Sequence, residues 1–124
     1  MSLFFSYSIS IFLGILSIPY SEIENGFKEN NPSKIVSISD QKIILNILGE
    51  EGVYSRAQSE LILKDFFTKK PGNSFQFIFK GKETAEGSFA IGNYKSLTES
   101  FRITFQFKLH NSNYKLESVM IEKN

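Results

Sequence analysis

The chain of 124 residues contains no cysteine, no tryptophan and a single histidine, His110. Without cysteine it can form no disulfide and no thiolate zinc site, and it has no cysteine nucleophile. Its formal net charge is only +1, whereas nucleic-acid-binding domains carry a clustered basic face. The longest basic run, Lys69-Lys70, stands directly before Pro71-Gly72, where lysines stabilise the C-terminus of a helix. We therefore expect no nucleic-acid partner, no metal and no cofactor.

Aromatic residues are abundant in the chain. It has 13 phenylalanines and 5 tyrosines, and each such side chain buries about 150–250 Å² and favours strands. Once about 20 N-terminal residues are set aside, about 100 remain, which is enough for one hydrophobic core and not for two. We expect a single domain over residues 22–124 that depends on its core alone for stability.

The N-terminal segment, residues 1–21, carries no charged side chain and is largely apolar between Ile9 and Ile18. A run of this length and character is typical of the hydrophobic region of a signal peptide. We therefore expect this segment to export the domain to the periplasm or out of the cell. No lysine or arginine precedes the apolar run, which leaves open whether Met1 is the true start. The alternatives are an uncleaved membrane anchor over residues 3–20 and a buried element of the fold.

Two capping-box patterns mark the starts of helices. The first, Ser21-Glu22-Ile23-Glu24, predicts a helix that ends before Pro32, after which Ser33 can begin a second, short helix. The second pattern, Ser55–Gln58, starts a long helix that ends at Lys69. In the long helix we expect a broad buried stripe formed by Ala57, Leu61, Ile62, Leu63 and Phe66.

The period of the apolar residues changes to two after Asn73, which indicates strands. The clearest strand turns Phe101, Ile103, Phe105, Phe107 and Leu109 to one face, and Arg102, Thr104, Gln106, Lys108 and His110 to the other. Such alternation predicts a sheet with one buried face and one solvated face. A tight hairpin loop at 111–113 leads to the last strand. In that strand Tyr114 and Leu116 alternate in one phase and Val119 and Ile121 in the other, so we predict a bulge near Glu117-Ser118 that lets all four point to the same face.

A short apolar run, Ile43–Leu48, predicts one further strand, and a turn at Gly49–Gly52 follows it. The predicted order is therefore helix, helix, short strand, helix and four antiparallel strands. The long strands have too much apolar surface on one face to leave it bare, so the helices must cover it. We predict an α+β fold in which the helices pack on the concave face of a curved antiparallel sheet.

Three stretches resemble a known family: Gly52-Val53-Tyr54-Ser55-Arg56-Ala57-Gln58, Ile62-Leu63-Lys64-Asp65-Phe66-Phe67 and the closing Ile121-Glu122-Lys123. They are similar to small secreted bacterial proteins that are described only as a domain of unknown function, over roughly Glu22–Asn124. The element order also resembles the nuclear-transport-factor-two-like fold, a cone-shaped roll that is also called cystatin-like. The resemblance implies this fold and export, and it implies no activity. Members of the family typically begin with a signal peptide whose first residues are basic. This chain differs, because no lysine or arginine precedes its apolar run.

Four polar residues are candidates for a binding site. Tyr54, just before the long helix, can line a pocket with its hydroxyl, or it is a structural tyrosine. Arg102 and Gln106 belong to the polar face of the clearest strand, which is either a binding or dimerisation surface or a solvated face. Asn46 interrupts an apolar strand. If it is buried, it needs a hydrogen-bond partner and can orient a ligand, and an edge-strand position is the other interpretation.

No set of residues for acid–base or metal chemistry stands out in the sequence. Enzymes of the resembled fold generally need a buried aspartate, or an aspartate with a histidine, for proton transfer. His110 ends a strand on its solvated face, Asp40 lies in a loop, and Asp65 lies on the polar side of its helix. Glu50-Glu51 offers far fewer oxygens than the six to eight that calcium takes.

We therefore expect a non-catalytic, extracytoplasmic binding or protein-interaction domain for an unknown protein or small ligand. The solvated sheet face is the expected surface for a homodimer. The alternative function is a small-molecule enzyme with a pocket between the helices and the sheet, which requires a titratable side chain inside that pocket.

Overall fold

The computed structural model describes residues 17–124, which form three helices and six strands. The helices are α1 (Tyr20–Lys28), α2 (Pro32–Val36) and α3 (Arg56–Lys69). The strands are β1 (Ser39–Ile47), β2 (Glu50–Ser55), β3 (Ser74–Lys80), β4 (Ser88–Lys95), β5 (Ser100–His110) and β6 (Asn113–Lys123). Most of the predicted export segment, residues 1–16, lies outside the described residues. None of the described helices is long and apolar enough to cross a membrane.

The strands form one six-stranded sheet in the order β2-β1-β6-β5-β4-β3. The predicted α+β fold, with helices packed on one face of the sheet, is confirmed. The sheet departs from the predicted antiparallel arrangement at one place, because β1 and β6 run parallel, with Leu45 beside Val119. Which strands become neighbours depends on the path of the whole chain, whereas alternation along one strand reports only its own two faces.

The two faces of β5 are those that the sequence predicts. Phe101, Ile103 and Phe105 are fully buried beneath the helices, whereas Arg102 and Gln106 are exposed on the opposite side. We call the side of the sheet that carries Phe105 the inner face and the side that carries Arg102 the outer face. The helices therefore cover the inner face only.

The predicted bulge in β6 is also confirmed. Gln106 pairs with Ser118 but Phe107 pairs with Leu116, so Glu117 is the extra residue. The loop before β6 is a two-residue turn, residues 111 and 112, with φ angles of 52° and 68°. Two positive φ angles are typical of a type I′ turn, whose twist matches that of the flanking strands.

Helix α3 begins with the predicted capping box, whereas α1 does not. The Ser55 hydroxyl accepts a hydrogen bond from Gln58 N at 3.2 Å, and Gln58 Oε1 accepts one from Ser55 N at 3.0 Å. The predicted box at Ser21 is wrong, because α1 starts at Tyr20, after Pro19, and has no side-chain cap. Ser21 already lies inside the helix, where the backbone is helical and cannot serve as the N-cap.

The residues ahead of α1 and α2 differ from the prediction in two further ways. Asn31, and not Ser33, caps α2, since its Oδ1 accepts from Ser33 N at 3.1 Å. Pro32 occupies the first helical position, which places the cap one residue before it. Ile18 is only 4% exposed and packs into the core. The folded unit therefore begins a few residues ahead of residue 22.

The buried side of α3 also differs from the predicted stripe. It consists of Ser59, Leu63, Phe66 and Phe67. Leu61 is 66% exposed and Ala57 is exposed as well, so the prediction is wrong for these two residues. The helix turns its Leu63 side towards the core, which leaves Leu61 facing an open groove beside the sheet.

Aromatic rings fill the space between the helices and the sheet. Phe27 of α1 contacts four of them, at centroid distances of 5.3 Å to Phe67, 4.9 Å to Phe75, 5.7 Å to Tyr94 and 5.7 Å to Phe105. Each aromatic pair contributes about 0.5–1.5 kcal/mol beyond its buried area. Within the described part of the chain, the buried polar or charged residues are two serines, Ser39 and Ser59. The interior is therefore an apolar, aromatic core in which no carboxylate, histidine, lysine or arginine of the described residues is buried.

Candidate functional site

A groove opens between α3 and the hairpin formed by β1 and β2, with a cavity volume of about 460 Å³. This volume lies in the range of about 300–1,000 Å³ that is usual for small-ligand sites. Six apolar residues line it, namely Leu45, Ile47, Leu48, Leu61, Ile62 and Phe66. Tyr54 and four charged residues also border it, namely Glu50, Asp65, Lys69 and Lys70. We call this feature the hairpin groove.

A tight turn positions the hairpin above α3. Leu48 and Gly49 have φ angles of 53° and 95°, which together form a type I′ turn. The strand resumes at Glu50, so the turn is shorter than the predicted one over Gly49–Gly52. Glycine is suited to this turn because it adopts a positive φ angle without a steric cost. Because the turn uses only two residues, β2 begins at Glu50 and is six residues long. It is therefore long enough to border the hairpin groove.

Tyr54 lies on the inner face of β2 and borders the hairpin groove. It pairs with the buried Ile43 on β1, and its side chain is half-buried. Its ring lies back along the strand over Gly52, where an added Cβ would overlap the Tyr54 hydroxyl. That hydroxyl forms no hydrogen bond within residues 17–124. It is therefore a polar group beside an apolar lining that is available to a ligand.

Two leucines give the hairpin groove an exposed apolar border. Leu61 on α3 is 66% exposed and Leu48 in the turn is 44% exposed. Neither leucine stands out in the sequence as a site residue, because Leu61 falls in the predicted buried stripe of its helix and Leu48 ends an apolar run that predicts a strand. A helical or strand period shows which residues share a face, and it does not show whether another element covers that face.

The charged residues at one end of the hairpin groove are largely paired. Lys69 Nζ lies 3.0 Å from Asp65 Oδ2, and Lys70 pairs with Glu99, which Lys123 also approaches at 3.1 Å. Hydrogen bonds from Lys70 and then from Lys123 hold the pKa of the Glu99 carboxyl below its usual value. Glu50 is different, because it forms no ion pair within the described residues.

The other three candidate residues lie on the outer face, away from the hairpin groove. Arg102 and Gln106 are exposed there on β5. Asn46 is half-buried and holds the hairpin turn, since its Oδ1 accepts from Gly49 N at 3.2 Å and its Nδ2 donates to Glu51 Oε1 at 3.2 Å. The structure therefore does not bring the four residues together in one site.

Asp40 and His110, which are far apart in the sequence and give no sign there of a contact, form an aspartate–histidine pair. His110 Nδ1 lies 3.4 Å from Asp40 Oδ2, with 60% and 45% of the two side chains exposed. The parallel pairing of β1 with β6 brings the start of β1 to the hairpin of β5 and β6, and no local pattern predicts that approach. Both side chains are open to water and lie outside the hairpin groove. Within the described residues, no three histidine, aspartate or glutamate side chains are placed to hold a metal ion.

Comparisons with known proteins identify a family without an assigned activity. The family model described as Domain of unknown function (DUF4783) matches residues 20–122. None of the curated proteins matches the chain.

Solved structures confirm the nuclear-transport-factor-two-like fold. A DUF4783 family protein from Bacteroides uniformis has a TM-score of 0.79 and 23% identity, over 87% of this chain and 98% of that chain. A DUF4783 family protein from Bacteroides fragilis has a TM-score of 0.78 and 25% identity, over 87% of this chain and 100% of that chain. An NTF-2-like protein of unknown function from Silicibacter pomeroyi has a TM-score of 0.63 and 11% identity, over 96% of this chain and 98% of that chain.

Proposed function

The chain belongs to this family of unknown function, and we propose that it is an exported, non-catalytic binding domain whose ligand site is the hairpin groove. The observation that supports this most is the combination of an apolar lining, two exposed leucines and the free Tyr54 hydroxyl. Ligand sites are commonly apolar clefts with a few polar groups that fix the orientation of the ligand. Burial of Leu61 and Leu48 by a ligand would contribute about 25 cal/mol per Å² of apolar surface.

The contents of the interior favour binding over the enzyme alternative. Proton transfer needs a titratable side chain within reach of the substrate, and the core between the helices and the sheet is filled by aromatic rings. Asp40 and His110 form an exposed pair that does not border the hairpin groove. The groove itself holds its two carboxylates at the exposed rim, where Asp65 is paired with Lys69 and Glu50 forms no ion pair within the described residues.

Dye binding tests the groove with a matched pair of leucine variants. The fluorescent amphiphile 1-anilinonaphthalene-8-sulfonate serves as the probe, and Leu61→Asp removes an apolar border of the groove. Loss of one leucine contact costs about 1.5 kcal/mol or more, so we expect the dissociation constant to rise at least about tenfold. The control is Leu97→Asp, because Leu97 is 83% exposed and does not border the groove. Equal effects of the two variants, or no effect of either, would overturn the proposal.

Export is the second part of the proposal, and it rests on the uncharged, apolar N-terminal segment of residues 1–21. N-terminal sequencing of the mature product tests it. Export with cleavage gives a mature chain that lacks the N-terminal apolar residues and keeps the buried Ile18. An intact Met1 end with the protein in the membrane fraction assigns residues 3–20 to an anchor, and an intact Met1 end with soluble protein contradicts export.

The outer face supports a homodimer as the partner surface. It exposes the rings of Phe79 and Phe89, which are tilted by 34° with centroids 5.2 Å apart, together with Ile44 at 38% exposure. Arg102 pairs across the strands with Glu122, yet neither forms an ion pair within the described residues. A two-fold contact between outer faces can pair these opposite charges between copies.

Light scattering tests this dimer surface. We expect Arg102→Glu, alone or with Gln106→Glu, to weaken dimerisation at least about tenfold, because it places like charges opposite each other. The matched control is Lys82→Glu, which reverses an exposed charge in the loop between β3 and β4. A wild-type chain that stays monomeric over the accessible concentrations contradicts the homodimer.

A further inference from the structure

The two edges of the sheet differ in how they are protected. At the β3 edge the register shifts between Phe77 and Phe79, so that Ile78 forms a bulge, and bulges hinder the addition of another strand. At the β2 edge the register is unbroken from Ile47 opposite Glu50 to the far end of the strand. Strand β2 contains neither proline nor lysine, which are other common means of protecting an edge.

The backbone groups that face away from β1 can be identified from the turn. A two-residue turn closes with a hydrogen-bonded pair, here Ile47 and Glu50. Bonded and non-bonded pairs alternate along an antiparallel ladder, so Glu51 and Val53 direct their N–H and C=O groups to the free edge. Strand β2 is the terminal strand of the sheet and pairs with β1 alone among the described strands, and no turn or loop hydrogen bond of residues 17–124 reaches these four groups. They form a ready template for a seventh strand.

The edge of β2 borders the hairpin groove, so an added strand would have side-chain contacts as well. Successive side chains of a strand point to opposite faces, and those on the inner side would lie beside Tyr54 and the exposed Leu61. Those on the outer side would lie beside Val53, which is 61% exposed, and Glu51. Neither Glu50 nor Glu51 forms an ion pair within the described residues. The edge therefore combines apolar surface with uncompensated negative charge.

We propose that the β2 edge binds an extended polypeptide segment in which apolar residues alternate with lysine or arginine. Main-chain hydrogen bonds to Glu51 and Val53 hold the segment, and the hairpin groove accepts its apolar side chains. The cationic side chains, on the outer side of the added strand, pair with Glu51, and the exposed Glu50 at the groove rim adds to the negative charge that attracts the segment. This inference rests on the proposed function of the groove and names the class of its ligand.

A synthetic peptide tests the main-chain part of the proposal. The probe is fluorescein-labelled Lys-Val-Lys-Phe-Lys-Val, and its binding is followed by fluorescence anisotropy. Two control peptides carry N-methyl groups on alternate residues, one in each phase, which keeps the side chains and removes main-chain donors. We expect the parent peptide to bind. Of the two control peptides, the one whose methyl groups replace the N–H donors that face β2 should bind at least about tenfold more weakly than the parent. Equal affinity for the parent and both controls would overturn the proposal.

Substitutions in the protein test the contribution of the β2 edge to peptide binding. Val53→Pro removes one outward N–H and keeps the ladder to β1, since edge strands tolerate proline at such positions. We expect at least about tenfold weaker peptide binding, whereas Val53→Ala keeps the N–H and has a smaller effect. Glu50→Lys with Glu51→Lys weakens binding of the basic peptide, and Glu86→Lys, in the loop between β3 and β4, does not. If Val53→Pro fails to fold, the methylated peptides decide the question alone.

Two outcomes separate this inference from the proposals above. If the dye binds in a Leu61-dependent manner but the peptide does not bind at about 1 mM, the peptide ligand is wrong and the groove remains a ligand site. If the wild type self-associates and Val53→Pro abolishes this association, the edge belongs to a second copy of the chain. That result would overturn the assignment to a polypeptide ligand.

Discussion

Tyr94 joins three separate segments of the chain through its hydroxyl. The side chain is fully buried, and its hydroxyl donates to Lys70 O at 2.7 Å and accepts from Asn30 Nδ2 at 3.1 Å. Asn30 Oδ1 in turn accepts from Gly72 N at 3.2 Å. Burial raises the pKa of Tyr94 above its ordinary value of 10.0, because the charged form loses its hydration. These bonds fix the end of α1 to the connection between α3 and β3.

Tyr94→Phe is expected to destabilise the protein by about 1–3 kcal/mol, because the half-buried Lys70 carbonyl and one N–H of the half-buried Asn30 amide lose their partner. Urea unfolding measures the change in the free energy of unfolding. Tyr114→Phe is the control, since its hydroxyl donates to Thr84 O at 2.8 Å in an exposed position. A loss for Tyr94→Phe that is no larger than the loss for Tyr114→Phe contradicts this account.

The candidate site shows how far single residues can be assigned from the sequence. Tyr54 could be selected because a tyrosine before a helix cap has a hydroxyl that needs a partner, and it does border the hairpin groove. A ligand role for that hydroxyl stays a prediction. Leu61 could not be selected, because its exposure depends on where the hairpin lies above α3. Asn46 interrupts an apolar strand for a local reason that was not foreseen, which is the turn that it holds.

Elements whose signals are local were predictable, and contacts between distant elements were not. The Ser55 cap, the two faces of β5 and the bulge at Glu117 each follow from residues within a few positions. The parallel pairing of β1 with β6 joins residues such as Leu45 and Val119, which no period or turn signal connects. That pairing decides which strands become the edges, and therefore where an added strand can bind.

The N-terminal cap of α3 is expected to contribute measurably to stability. Ser55→Ala removes the acceptor for Gln58 N, and loss of such a cap costs about 0.5–2 kcal/mol. Thermal and urea unfolding report the change. Ser74→Ala, at an exposed serine without a side-chain hydrogen bond within the described residues, is expected to change stability by less than about 0.5 kcal/mol. Equal effects of the two variants would show that the cap contributes nothing.

At the scale of the whole molecule, Glu99 connects the end of α3 to the C-terminal strand. Its carboxylate pairs with Lys70 and with Lys123, and the pKa of Glu99 lies below its ordinary value of 4.5. A carboxyl whose pKa is lower in the folded state stabilises the fold above its unfolded-state pKa, and this contribution is lost as the pH falls through the folded-state value. Lys70 also borders the hairpin groove, so the ion pair with Glu99 lies beside its charged end.

The stability difference between wild type and Glu99→Gln is therefore expected to be present at neutral pH and to shrink below about pH 4.5. Unfolding midpoints measured between neutral and acidic pH check the direction. The matched control is Glu86→Gln, because Glu86 forms no ion pair within the described residues. A difference for Glu99→Gln that grows as the pH falls would contradict the ion-pair account.

The central claim is that ligands bind in the hairpin groove and not in the core or on the outer face. Nuclear magnetic resonance with the isotope-labelled protein and 1-anilinonaphthalene-8-sulfonate tests it most directly, because every backbone amide reports separately. The account predicts that the largest shift changes occur at Leu48, Tyr54 and Leu61, which border the groove. Changes centred on Phe89 and Arg102 of the outer face, or an unchanged spectrum, would contradict it.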